Sequence, residues 1–240
     1  MNQPSKVGRS AGFALGLALC LSSCASDKKQ AASIKQLDDL LGRVERVHLE
    51  TELCHQRAGA ALEALQVVLK SPGGEDLATN FAELQSRARA SEDQSYRLRA
   101  ATGPLKASAE AHFGRWTDDL AKFGSPALRQ KSQEGMDAAR ASFDAILADL
   151  SPAQSALEVY NKSLKDVTLF LANDLSGQSL TLIEGDVHGL VDQAMGVDQK
   201  LKETLSACRE YVRTHAPAAS LVGSVEVAPT AEKDSAAKPR

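Results

Sequence analysis

The 240 residues are 43% apolar and 25% charged, enough apolar surface for one buried core and too many charges for a polytopic membrane protein. The 28 Lys+Arg against 31 Asp+Glu leave a net charge of -3, so no basic field marks a nucleic-acid binder. Aromatic residues at 4% argue against a sandwich or barrel, whose strands draw on Tyr, Phe and Trp.

Residues 1-23 have the layout of a secretory signal peptide: Lys6 and Arg9 in a polar start, the apolar run Ala11 to Leu21, then Ser22 and Ser23. The apolar run is about half of the roughly 20 residues that span a bilayer as a helix, which argues against a permanent span. Leu21-Ser22-Ser23-Cys24 resembles the lipobox of bacterial lipoproteins. That resemblance implies cleavage before Cys24, a diacylglycerol thioether on its sulfur and a third chain on its amine. One acyl chain holds only marginally, whereas three make a stable anchor. Ala25 and Ser26 follow rather than Asp, resembling the class sorted to the outer membrane. The expected location is the periplasmic face of the outer membrane of a Gram-negative bacterium; a cut near Ala25 would instead leave a soluble periplasmic protein. Losing Lys6 and Arg9 makes the mature chain more acidic, so its body has little reason to lie on anionic lipid.

After an anchor linker at 24-30, residues 31-215 read as one all-α domain, an elongated antiparallel bundle or coiled coil of four to five helices. Steps of three and four from Ile34 collect Leu37, Leu41, Val44, His48, Thr51, His55, Ala58, Leu62, Leu65 and Leu69. A flanking stripe repeats every seven: Leu40, Val47, Cys54, Ala61 and Val68. Two adjacent stripes widen the buried face beyond a two-stranded seam, which calls for two or more neighbours. Ser71-Pro72-Gly73-Gly74 ends this helix.

The second helix is expected from an N-cap at Asp76, with Leu77, Phe81, Leu84, Ala88, Ser91, Ser95, Leu98, Thr102, Leu105, Ala109, His112, Trp116, Leu120 and Phe123 on one side. Gly103-Pro104 falls inside it and predicts a kink, since Pro removes a backbone bond and clashes with the preceding turn. Ser125-Pro126 starts a third helix of about 126-150 with Leu128, Met136, Phe143, Ile146, Leu147 and Leu150 inward. Ser151-Pro152 repeats the device and predicts a fourth helix reaching about Asp174. Ser176-Gly177 breaks the pattern before a last helix carrying Ile183, Val187, Leu190, Ala194, Val197, Leu201, Leu205, Cys208 and Val212. The longest helix is expected near 40 residues, about 60 Å. Residues 216-240, rich in Ala, Pro, Ser, Lys and Glu, read as a disordered tail. Leu221 to Val227 is its one short apolar stretch with strand character.

Two segments carry a family resemblance: Phe113-Gly-Arg-Trp116-Thr-Asp-Asp119-Leu120-Ala-Lys-Phe123 with Leu128-Arg129-Gln-Lys-Ser132, and Asp166-Val-Thr-Leu169-Phe170-Leu171-Ala-Asn173-Asp-Leu175. Over about residues 31-213 the chain resembles a family of secreted bacterial helical proteins classed as a domain of unknown function, with coiled-coil character and frequent lipoprotein signals. The resemblance implies an envelope location and a helical fold, and brings no catalytic residue with it. The same residues have a packing reading: Phe113, Trp116 and Phe123 share one face and fill core between the second and third helices, with Arg129 and Ser132 pairing with Asp118 or Asp119 across the turn.

Glu52-x-x-His55 is the sharpest metal-like feature, because residues three apart on a helix project side by side. Di-iron bundles need that motif twice with two further carboxylates. No second copy occurs on another helix: Glu110 and His112 are two apart, and Glu184 and His188 are four apart. His48, Thr51 and His55 otherwise read as a polar layer that sets register. Cys54 and Cys208 remain once Cys20 is cleaved off and Cys24 is lipidated. An oxidising compartment invites their disulfide, whereas one sits mid-helix and the other near a helix end. Arg87, Arg89, Arg97 and Arg99, interleaved with Glu92 and Asp93, read as a solvated face. No G-x-S-x-G, Walker A, G-x-G-x-x-G or C-x-x-C motif is present.

These features favour a lipid-anchored envelope protein with a non-catalytic interaction, spacer or scaffold role and no cofactor. Its expected partners are the membrane, through the lipid on Cys24, and a second copy or another envelope protein. The competing classes are a metal-binding bundle enzyme using His48, Glu52 and His55, and a carrier of small apolar ligands.

Overall fold

The computed structural model describes residues 21-71 and 74-216, with side chains from Ser33 onward. The leader at 1-20 and the tail at 217-240 lie outside the described residues, as do Pro72 and Gly73. The helices are α1 (Leu21–Lys70), α2 (Gly74–Leu120), α3 (Pro126–Asn173), α4 (Gly177–Leu182) and α5 (Glu184–His215), and no strand occurs among the described residues. None of these helices is long and apolar enough to cross a membrane.

Local chemistry explains most helix ends. Gly74 adopts φ +67°, a left-handed conformation that costs glycine little, and α2 begins there. Asp76 therefore falls inside the first turn with Glu75, where carboxylates meet the helix N-terminal partial charge, rather than capping the helix as expected. Ser125 caps α3, its hydroxyl accepting from the Leu128 N-H at 3.4 Å, with Pro126 in the first turn. Ser176 caps α4 in the same way, accepting from the Ser179 N-H at 3.2 Å.

The expected break at Ser151-Pro152 is absent: α3 runs through it as one helix of 48 residues. α2 likewise runs through Pro104. A proline inside a helix costs about 3 kcal/mol, but Leu150, Ala153 and Leu157 are all buried around Pro152. Burying side chains of that size contributes about 1.5-3 kcal/mol for each Leu, so packing outweighs the local penalty. The two prolines sit at one height. Gln154 Nε2 on α3 donates to Thr102 Oγ1 on α2 at 2.8 Å, and each proline lies two residues from its member of this pair. The longest element, α1 with 50 residues, exceeds the expected length because it begins at Leu21 rather than at 31, and it spans about 75 Å.

The long helices close a four-membered ring. α1 packs on α2 and α5, α3 packs on α2 and α5, and α4 is a short connector touching α5. Neighbours are antiparallel, as cross-links at falling residue numbers show: Ser33 with Arg115, Asp39 with Ser108 and Glu50 with Gln94 along α1 and α2. α2 and α3 follow the same rule through Ser91 with Asn161 and Trp116 with Ser132.

The flanking stripe of α1 is the true centre of its seam: Leu40, Val47, Cys54, Ala61 and Val68 are all fully buried. Of the first stripe, Leu41, Val44, Thr51, Ala58 and Leu65 are buried, while Ile34 is 52% exposed and His48 and His55 are half-buried. On α2 the buried face is shifted by about one residue at its far end, so that Phe113 enters the core in place of His112. Leu128, expected inward, is exposed in the first turn of α3.

Candidate functional site

The α1 polar set does not converge. His55 Nε2 meets Asp198 Oδ1 of α5 at 2.6 Å, and Asp198 Oδ2 accepts from Lys202 at 2.7 Å. The hydrogen bond from Lys202 first, and that from His55 next, hold the Asp198 carboxyl below its ordinary range against the opposing effect of burial. Glu52 Oε1 accepts from Gln56 one turn along its own helix. Thr51 Oγ1 donates to the Val47 carbonyl at 2.7 Å. His48 Nε2 is buried without a partner, and burial followed by the nearby Arg209 charge lowers that imidazole's pKa. Among the described residues no group of three or more His, Cys, Asp or Glu side chains is placed to hold a metal ion. The geometry therefore gives the metal-enzyme alternative built on His48, Glu52 and His55 no support. His55 is taken by a carboxylate on another helix, and His48 lies two turns away.

A buried polar layer that the spacing did not reveal sits beside this set. Glu50 is only 2% exposed and accepts from Gln94 Nε2 at 2.5 Å, while its other oxygen pairs with Arg46. Gln94 Nε2 also reaches the Glu50 carbonyl, and the Gln94 carbonyl accepts from Cys54 Sγ at 3.5 Å. One turn along α2, Ser91 Oγ donates to Asn161 Oδ1 of α3 at 2.7 Å, leaving Asn161 Nδ2 buried with no partner. Arg43, Glu50 and Arg57 repeat every seven residues on a flank of α1 that is otherwise exposed. Glu50, by contrast, is buried and meets Gln94 arriving from α2.

Cys54 and Cys208 are free, buried thiols. Burial pushes both up to about 12, aided at Cys54 by Glu50 and at Cys208 by Asp149. Their surroundings differ: Cys54 faces α2 through Gln94, and Cys208 feels α3 through Asp149. The antiparallel register that pairs His55 with Asp198 puts Cys208 about two and a half turns along α5 from the residues level with Cys54. The two thiols are accordingly not joined in this structure. Cys24 lies in the first turn of α1, and its side chain is outside the described residues.

At the end of the bundle where α1 begins, a cleft of about 380 Å³ opens between α1, the end of α2 and the start of α3. Ile34, Leu37, Trp116 and Phe123 form its apolar walls, and Gln36, His112 and Arg115 add polar groups. Trp116 Nε1 donates to Ser132 Oγ at 2.9 Å, which fixes the indole edge. Gln36 Oε1 is buried without a partner. His112 stands edge-on to Trp116 with ring centroids 5.7 Å apart, and burial first, then the His215 charge, lower its pKa. The aromatic set thus divides: Phe113 is core, whereas Trp116 and Phe123 are half-buried and line this cleft. Arg129 donates to the Phe123 carbonyl at 3.0 Å and Ser132 accepts from Trp116, in place of the expected Asp118 or Asp119 pairing. An apolar cleft of this size with a few polar groups has the general character of a ligand or peptide site.

No curated protein matches the chain. A family profile does, over residues 28–214, nearly the whole described body. Its description names no activity. The chain belongs to the DUF2959 family of proteins of unknown function.

Proposed function

We propose that this protein is a lipid-anchored helical spacer and interaction protein of the bacterial cell envelope. It is held at the periplasmic face of the outer membrane by a lipid on Cys24, and it is not an enzyme. The observation that carries the reading is what the polar side chains of the bundle are bonded to. Glu50 with Gln94, Ser91 with Asn161 and His55 with Asp198 each tie one long helix to another. Polar groups used in this way set the register of a long body. Helices of 47 to 50 residues give that body a reach of about 70 Å from an anchor at the start of α1. The layout Lys6, Arg9, Ala11 to Leu21, then Cys24 supports the anchor.

The test has two parts. Cys24→Ser should release the protein from the membrane fraction into the periplasm, and the wild type should take up labelled palmitate. In-cell crosslinking from the exposed 80-100 face of α2 should capture one defined envelope protein or a second copy. Membrane retention of the Cys24→Ser protein, or stoichiometric iron, zinc or manganese lost on His55→Ala, would overturn the proposal.

A further inference from the structure

The cleft beside Trp116 has apolar walls, and the last described residue lies at the same end of the bundle. Tyr211 of α5 stacks edge-on to Phe143 at 6.1 Å, and Phe143 stacks on Phe113 at 6.0 Å. That stack brings the last turn of α5 alongside Phe113, whose neighbour His112 lines the cleft. His215 lies against Tyr211 with ring centroids 4.6 Å apart, and Ala216 packs on the core. Ala216, the last described residue, therefore lies at the same end of the bundle as the cleft.

Residues 217–240 hold a single apolar stretch, Leu221-Val222-Gly223-Ser224-Val225-Glu226-Val227. Leu221 is five residues beyond Ala216, a span of at most about 17 Å when extended. In an extended segment alternate side chains share a face, which collects Leu221, Val225 and Val227 on one side.

We propose that Leu221 to Val227 docks in cis in the cleft between α1 and α2. Leu221 and Val225 lie against Ile34, Leu37, Trp116 and Phe123. Two features support this occupant. The walls are apolar, as the side chains of the segment require. Tethering makes the encounter intramolecular, at an effective concentration in the millimolar range for a short linker, so even a small contact closes. The proposal is independent of lipidation at Cys24.

Trp116 is the one tryptophan of the chain, so its emission reports the cleft directly. The full mature chain should show a blue-shifted emission maximum with weak acrylamide quenching. Leu221→Asp with Val225→Asp should red-shift it and raise quenching, because loss of one buried leucine alone lowers the docked-to-free ratio by at least about tenfold. Both substitutions lie outside the helices, so an unchanged far-UV circular dichroism spectrum shows that the bundle is intact. In the same full chain, a photoreactive benzoylphenylalanine replacing Val222 should crosslink within one molecule to peptides containing residues 33–37 or 112–123, at a yield independent of protein concentration. Unchanged Trp116 quenching in the double variant, or crosslinks elsewhere on the bundle, overturns the proposal. Crosslinks only between molecules, rising with concentration, would overturn it in favour of a second copy. Exposure of Trp116 only after organic extraction of a co-purifying amphiphile would overturn it in favour of a lipid.

Discussion

Tyr160 of α3 donates its hydroxyl to the Ala58 carbonyl of α1 at 3.0 Å, joining two helices that face each other across the ring rather than sharing a seam. The ring of Tyr160 is fully buried, and burial alone pushes its phenol well above the ordinary range. Ala58 and Ala61, both buried, leave the room that lets a tyrosine cross the core. Tyr160→Phe should cost about 0.5-1.5 kcal/mol, the net worth of one hydrogen bond. Tyr160→Ala should cost about 3-5 kcal/mol through the cavity it leaves. Urea unfolding of the three proteins measures both, and a Tyr160→Phe variant as stable as wild type would show that the bond contributes nothing.

The Glu50 and Gln94 pair predicts a marked asymmetry between single and double substitution. Glu50→Leu alone strands the Gln94 amide in the core and should cost about 1.5-3 kcal/mol. Glu50→Leu with Gln94→Leu removes both polar groups and should recover most of that loss, since an apolar pair of similar volume often matches a buried polar one. A double-mutant cycle in urea gives the coupling. Additive losses would mean that the two side chains act separately.

The buried thiols predict a labelling pattern. With Cys54 and Cys208 pushed up to about 12, neither should react with a maleimide at pH 8 in the folded protein. Both should react in denaturant without any reductant. A requirement for reductant would reveal a disulfide absent from this structure.

The imidazoles of His48, His112 and His215 are all lowered, with burial the leading cause in each. A base with a folded pKa below its unfolded value of about 6.5 binds fewer protons folded than unfolded between the two values. Stability should therefore fall as pH drops below about 6.5 and level off under the folded pKa. Glu45 and Glu52 oppose this at His48, while Arg209 reinforces it. The carboxyls of Asp198 and Glu210, lowered chiefly by their Lys202 and Arg213 partners, act in a separate window. Their support is present above the unfolded carboxylate range and is lost as pH falls through the folded value. Thermal unfolding from pH 7.5 to 5.5 tests the histidine window, and His112→Phe should flatten the profile. A midpoint independent of pH there would refute it.

Pro152 lies within α3 with its ring exposed. Pro152→Ala restores a helical N-H and relieves the clash with the preceding turn, so it should stabilise the bundle by about 1-3 kcal/mol. Chemical denaturation measures the gain. A loss would mean that Pro152 itself is required where α2 and α3 meet.

By itself the sequence determined the helical class, the Ser125 cap and the Ser176 boundary, because each rests on chemistry within a few residues. Heptad repeats also pointed to the buried faces, from Leu40 through Val68 on α1 and from Val187 through Cys208 on α5. Tertiary structure decided whatever depends on a second helix. Ser151-Pro152 reads locally as a stop, yet α3 continues because Leu150, Ala153 and Leu157 are held in the core. Glu50 sits on a flank whose repeat, Arg43 and Arg57, is exposed, yet it is buried and bonded to Gln94 from α2. Glu52 and His55 have the spacing of metal ligands, but spacing along one helix cannot say what faces them. Asp198, 143 residues away, takes His55. Trp116 and Phe123 read as core, and the junction of three helix ends turned them into the walls of a cleft. Local patterns report propensity and period, whereas partners at that distance are set by which faces the bundle brings together.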